Sequence, residues 1–117
     1  MGQYTEVSIR CPVGTWTTVK SFQFPEDEEL HHIFIEFGVL LVGGTSDTTV
    51  IMRLSRTGAG PWSESSFYVS KNLSLRCTSA SIIWASENST YNIEIFAVNS
   101  QITATYFLFR PFVFYHG

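Results

Sequence analysis

Apolar and polar residues alternate along most of the chain, and the alternation changes character towards its end. From Thr90 the sequence runs Thr-Tyr-Asn-Ile-Glu-Ile-Phe-Ala-Val; a short polar break follows, then Ile-Thr-Ala-Thr-Tyr-Phe-Leu-Phe-Arg-Pro-Phe-Val-Phe-Tyr to Tyr115. A period of two puts Tyr91, Ile93 and Ile95 on one face of a strand and Asn92 and Glu94 on the other. From Phe107 the alternation fails, because Phe107, Leu108, Phe109, Phe112, Val113, Phe114 and Tyr115 put apolar groups on both faces. Such a strand must be covered on both sides. The chain's own core can cover one side, and a copy of the chain most readily covers the other. The pattern predicts an assembly.

Upstream, Tyr4 to Arg10 alternates as a short strand with one modestly apolar face, broken by Cys11-Pro12-Val13-Gly14. It reads as a lead-in, not as core. Thr15 to Phe24 is rich in β-formers and stops at Pro25, and Glu26-Asp27-Glu28-Glu29 follows as an acidic, solvated loop. His31 to Val42 reads as a long strand, with Gly38 either a bulge or a place of close backbone approach. After a turn at Gly43–Asp47, Thr48 to Ser55 sets Val50, Met52 and Leu54 on one face. Arg56 to Glu64 is expected to be a loop carrying Gly58, Gly60 and Trp62. Ser65–Ser70, Leu73–Thr78 and Ala80–Ala85 read as three short strands, separated at Lys71-Asn72 and at Thr78-Ser79. About nine short strands with turn signals between them predict an all-β antiparallel sandwich of Greek-key or jelly-roll type.

Composition sharpens this picture. Hydrophobic residues make up 44% of the 117 and charged residues only 15%, with 10 Phe, 5 Tyr and 3 Trp. A surface so poor in charge points to apolar area hidden in an interface. One domain is expected at this length. The net charge is −3 and the seven basic residues are scattered, so a nucleic-acid footprint is not expected. Arg53 and Arg56 read as solvated strand ends. Cys11 and Cys77 are read as buried thiols, with a single disulfide as the alternative. No signal-peptide pattern opens the chain, and apolar runs such as Val39 to Val42 are far short of the ~20 residues of a membrane span. No membrane insertion is expected.

Candidate chemistry is sparse. Adjacent His31 and His32 would point to opposite faces of a strand and cannot share one metal. The acidic run lacks the alternating ligands and glycine of a calcium loop, and Thr57-Gly58-Ala59-Gly60 lacks the Lys-Ser/Thr ending of a phosphate loop. No serine sits in a nucleophile elbow, and Glu36 and Glu94 read as outward polar positions. No enzyme activity, cofactor or metal is expected. Asn72-Leu73-Ser74 and Asn88-Ser89-Thr90 match the glycosylation pattern and are read as turn chemistry.

Tyr4–Arg10 with Cys11-Pro12-Val13-Gly14, followed by Thr15-Trp16-Thr17, resembles the end of an adenovirus-type viral fibre, where a last shaft repeat meets a Thr-Leu-Trp-Thr motif before a compact β-sandwich head; the Leu is absent here. The resemblance implies a lead-in over residues 1–14 and a head over 15–117. It also implies a homotrimer, with Phe107, Phe109, Phe112 and Phe114 as candidate interface residues, and attachment to a host-cell receptor, protein or glycan. The implied location is the virion surface, with assembly in the host nucleus. Candidate receptor-binding residues, chosen as exposed loops, are Glu26, Asp27, Glu28, Glu29, Gly58, Gly60 and Trp62. Two other readings stand beside it: a carbohydrate-binding module using Trp62 or Trp16 as a stacking platform, and a trimeric jelly-roll signalling ligand.

Overall fold

The chain folds as a succession of strands in the computed structural model, which describes the backbone of residues 4–24, 30–57, 61–84 and 89–115 and the side chains of 5–23, 34–57, 63–82 and 90–111. The strands are β1 (Tyr4–Cys11), β2 (Trp16–Phe24), β3 (Leu30–Val42), β4 (Thr48–Arg56), β5 (Pro61–Val69), β6 (Ser74–Trp84), β7 (Ser89–Ala97) and β8 (Ile102–Tyr115). They form two antiparallel sheets, ordered β1-β8-β3-β6 and β2-β7-β4-β5. Every connection except β4–β5 crosses from one sheet to the other, which is the winding of a jelly roll.

The period-two positions fill the space between the sheets. Ile35, Phe37, Val39 and Leu41 of β3 meet Val50, Met52 and Leu54 of β4 and Ile93, Ile95 and Ala97 of β7, all fully buried. Each of these side chains larger than alanine contributes roughly 1.5–3 kcal/mol by leaving water. Phe22 bridges the sheets, 4.2 Å from Phe109 and stacked 5.8 Å from Tyr91.

Several expectations are revised. The two strands expected over 73–78 and 80–85 are replaced by one, β6, because Thr78 and Ser79 stay in register with Gly38 and Phe37 of β3. Gly38 makes this continuity possible: a Cβ there would stand 2.6 Å from the Cys77 carbonyl oxygen. It marks a close approach, and its pairing with β6 carries no bulge. The expected loop Arg56–Glu64 is shorter, since β4 runs to Arg56 and β5 begins at Pro61; Trp62 therefore belongs to a strand. The stretch read as a lead-in supplies β1, which pairs with β8 and carries Cys11 into the core. Cys11 and Cys77 are both buried and unpaired. Burial pushes the Cys11 thiol up to about 11 and the Cys77 thiol up to about 12.

Candidate binding surface

Four connections meet at one end of the sandwich and are pinned to one another in series. The β1–β2 turn, where Gly14 takes φ 79°, is tied to β7 by the Gly14 N–H donating to the Ala97 carbonyl at 3.0 Å. The β7–β8 turn is held by Thr48, whose buried hydroxyl oxygen accepts the N–H groups of Asn99 at 2.8 Å and Ser100 at 3.2 Å. The β3–β4 turn lies against two neighbours at once. A Cβ on Gly44 would stand 2.4 Å from the Gln101 carbonyl oxygen, and one on Gly43 would stand 2.2 Å from that of Ser70. Only glycine permits backbones this close.

Hydrogen bonds complete the link to the β5–β6 turn, where Asn72 adopts φ 60°. The Gly43 N–H donates to the Leu73 carbonyl at 2.8 Å, and the Asn72 N–H donates to that of Gly44 at 3.1 Å. Asp47 accepts the Lys71 backbone N–H and the Tyr68 hydroxyl, each at 2.8 Å. Lys71 first and Tyr68 second hold its carboxyl below the usual range, and the same contact raises the Tyr68 hydroxyl.

This pinned end is unusually apolar at its surface. Val13, Leu73 and Val98 come from three of its turns and are 47%, 62% and 40% exposed, and Tyr68, bonded to Asp47 of the β3–β4 turn, is 62% exposed. Large apolar groups held out on a rigid frame are the usual mark of a contact surface. The sequence reading passed over these residues, because an isolated Val or Leu in a turn carries no motif. Nothing local announces that three such turns are neighbours.

At the opposite end the strands carry the pairings Phe24↔Ser89, Leu30↔Tyr115 and His32↔Trp84. The candidates Glu26, Asp27, Glu28, Glu29, Gly58 and Gly60 lie outside the described residues, as do the side chains of Trp62, His31 and His32. Of the four candidate interface phenylalanines, one is placed within the chain's own core and a second packs against it. Phe107 is 7% exposed among the buried core residues, and Phe109 packs on Phe22. Phe112 and Phe114 pair in register with Phe34 and His32, and their side chains are outside the described set.

The outer faces differ. On β2-β7-β4-β5, the Arg53 guanidinium carbon sits 3.6 Å from the Trp16 ring centre, and its Nε donates to Glu94 Oε1 at 2.7 Å. Ser55 donates to the same oxygen at 2.7 Å, and Phe96 packs 5.2 Å from Trp16. Arg53 is therefore a partnered residue and not a solvated strand end, and one face of Trp16 is already occupied. On β1-β8-β3-β6, Phe34 lies in register with Ile82, which is 60% exposed, and Glu36 meets Arg110 at 3.2 Å. Among the described residues no three of His, Cys, Asp and Glu converge as metal ligands.

No protein-family model matches the chain, and no curated protein matches its sequence. The fold is similar to that of a chain in the structure of infectious bursal disease virus Gt strain, with a TM-score of 0.58 at 8% identity, covering 95% of this chain. This chain spans only 31% of that one. At such low identity the likeness is one of fold alone.

Proposed function

We propose that this chain is the attachment module of a virus surface protein, a homotrimer that meets a host-cell receptor with the pinned end of its sandwich. The observation that carries this reading is the exposure of Val13, Leu73 and Val98 on three of the four turns pinned at this end, with Tyr68 exposed near the end of β5. The direction of β1 supports it: the strand runs towards this end, finishing at Cys11, so the N-terminal approach is from the other side. A jelly roll shared with a virus chain supports the viral setting. The partner is a receptor, protein or glycan; nucleic acid, membrane insertion and catalysis play no part. The implied location is the virion surface.

The test combines absolute mass with cell binding. The reading expects a mass of three times the 13.2 kDa chain and saturable binding to cells of one host lineage. Val13→Asp, Leu73→Asp and Val98→Asp should each abolish binding while mass and melting temperature hold. Neutralising Glu26 to Glu29 should leave binding intact; loss there, with the three aspartate variants unaffected, would move the site to that acidic run. A monomer that binds a glycan array instead would overturn the trimer and favour the sugar-binding module, with Trp62 as its platform.

A further inference from the structure

The four edge strands of the sandwich are not equally protected. β1 holds an extra residue between Glu6 and Ile9 opposite β8, β2 holds one between Thr18 and Lys20 opposite β7, and β5 holds one between Pro61 and Ser63 opposite β4. Each bulge lies on the edge strand itself, where it twists the free backbone away from pairing. β6 differs from all three. It pairs with β3 without a register shift from Ser74↔Val42 to Trp84↔His32. Its 11 residues, Ser-Leu-Arg-Cys-Thr-Ser-Ala-Ser-Ile-Ile-Trp, include no proline and a single charge, Arg76. A long, straight, nearly uncharged edge is a template for another strand.

We infer that β6 joins two copies of this chain edge to edge, antiparallel across a two-fold axis at Ser79, making one continuous eight-stranded sheet. The position of the lone charge selects this partner and direction. A parallel, in-register pair would place Arg76 against Arg76, which like charges oppose. Antiparallel pairing about Ser79, the middle of the 11-residue strand, overlaps β6 fully and sets Arg76 opposite Ile82 of the second copy. The aliphatic stem of arginine then covers a side chain that is 60% exposed in the single chain. Thr78 falls opposite Ala80, both exposed and small enough to let the strands close. The contact is isologous, so it closes on itself as a dimer. It is independent of the trimer proposed above: if both hold, β6 links two trimers.

Two measurements decide it. In the wild-type chain, hydrogen exchange of the amides from 74 to 82 should slow by about tenfold or more between micromolar and millimolar protein, while the bulged edges β1, β2 and β5 change little. In the second, Thr78→Cys chains are mixed with Ala80→Cys chains under mild oxidation, and peptide mapping is expected to find a covalent dimer linked between positions 78 and 80. These positions are exposed, so neither variant threatens the fold. Exchange in β6 that is independent of concentration would overturn the inference. So would self-association with no link between 78 and 80, which would assign the contact to another face.

Discussion

Arg53 lies over Trp16 with its guanidinium carbon 3.6 Å from the ring centre, on the outer face of a sheet that buries neither residue completely. The planar cation covers the indole on one side while its edge donates to Glu94, so a single side chain joins β4 to both β2 and β7. Arg53→Ala should lower unfolding free energy by about 1–2 kcal/mol, combining loss of the stack and of a charged hydrogen bond. Arg53→Lys should recover less than half of that, since a point charge neither stacks nor offers Nε in the same plane. Chemical denaturation of the two variants checks both numbers.

The contact between Asp47 and the β5–β6 turn makes stability depend on acid. Its carboxyl is held below the ordinary value of 3.8 by the Lys71 N–H and the Tyr68 hydroxyl. The folded state therefore favours the ionised form, so the contribution is present above 3.8 and is lost as pH falls through the folded value. Melting temperatures of the wild type and Asp47→Asn should differ at neutral pH and converge in strong acid. A gap that persists at pH 2 would count against this account.

The buried thiols give the opposite dependence. Both titrate above their ordinary value of 9.0, at about 11 for Cys11 and about 12 for Cys77, because burial penalises the thiolate. Their contribution is intact below 9.0 and falls as pH rises towards the folded values, where the unfolded chain holds fewer protons than the folded one. A thiol reagent at pH 8 should leave both unmodified in the folded chain and label both in denaturant. Cys77→Val, which removes the thiol at little change in volume, should weaken the alkaline loss.

The pinned end rests on two glycines. Gly44→Ala pushes a methyl group against the Gln101 carbonyl and Gly43→Ala against that of Ser70. Each should destabilise by roughly 1–3 kcal/mol through forced separation of the turns. Hydrogen exchange at Asn72, whose N–H donates to the Gly44 carbonyl, should accelerate in both variants. Unchanged exchange there would mean that the turns do not depend on one another.

Local pattern was enough to identify most of the strands, although it split β6 at Thr78-Ser79 and read the start of β5 as loop. Period-two alternation in Val50, Met52 and Leu54, and in Tyr91, Ile93 and Ile95, reflects a backbone that presents successive side chains to opposite faces, and these residues are in the core. The same reasoning found the turn at Lys71-Asn72, the buried thiols and the antiparallel sandwich, although the strands are longer and fewer than expected. It also recognised that β8 is apolar on both faces, without telling that Phe107 would be buried in the chain's own core and Phe109 packed against it.

What the tertiary structure alone decided is which strand lies beside which. Arg53 and Glu94 are 41 residues apart and meet only because β4 pairs with β7 in that register. Val13, Leu73 and Val98 gather at one end because the crossing connections of a jelly roll bring their turns together. The continuity of β6 through Thr78-Ser79 depends on the missing side chain of Gly38 in its neighbour. Alternation is a property of each strand's own backbone, whereas pairing is settled by burial and hydrogen bonding among segments distant in sequence, and no single stretch encodes it.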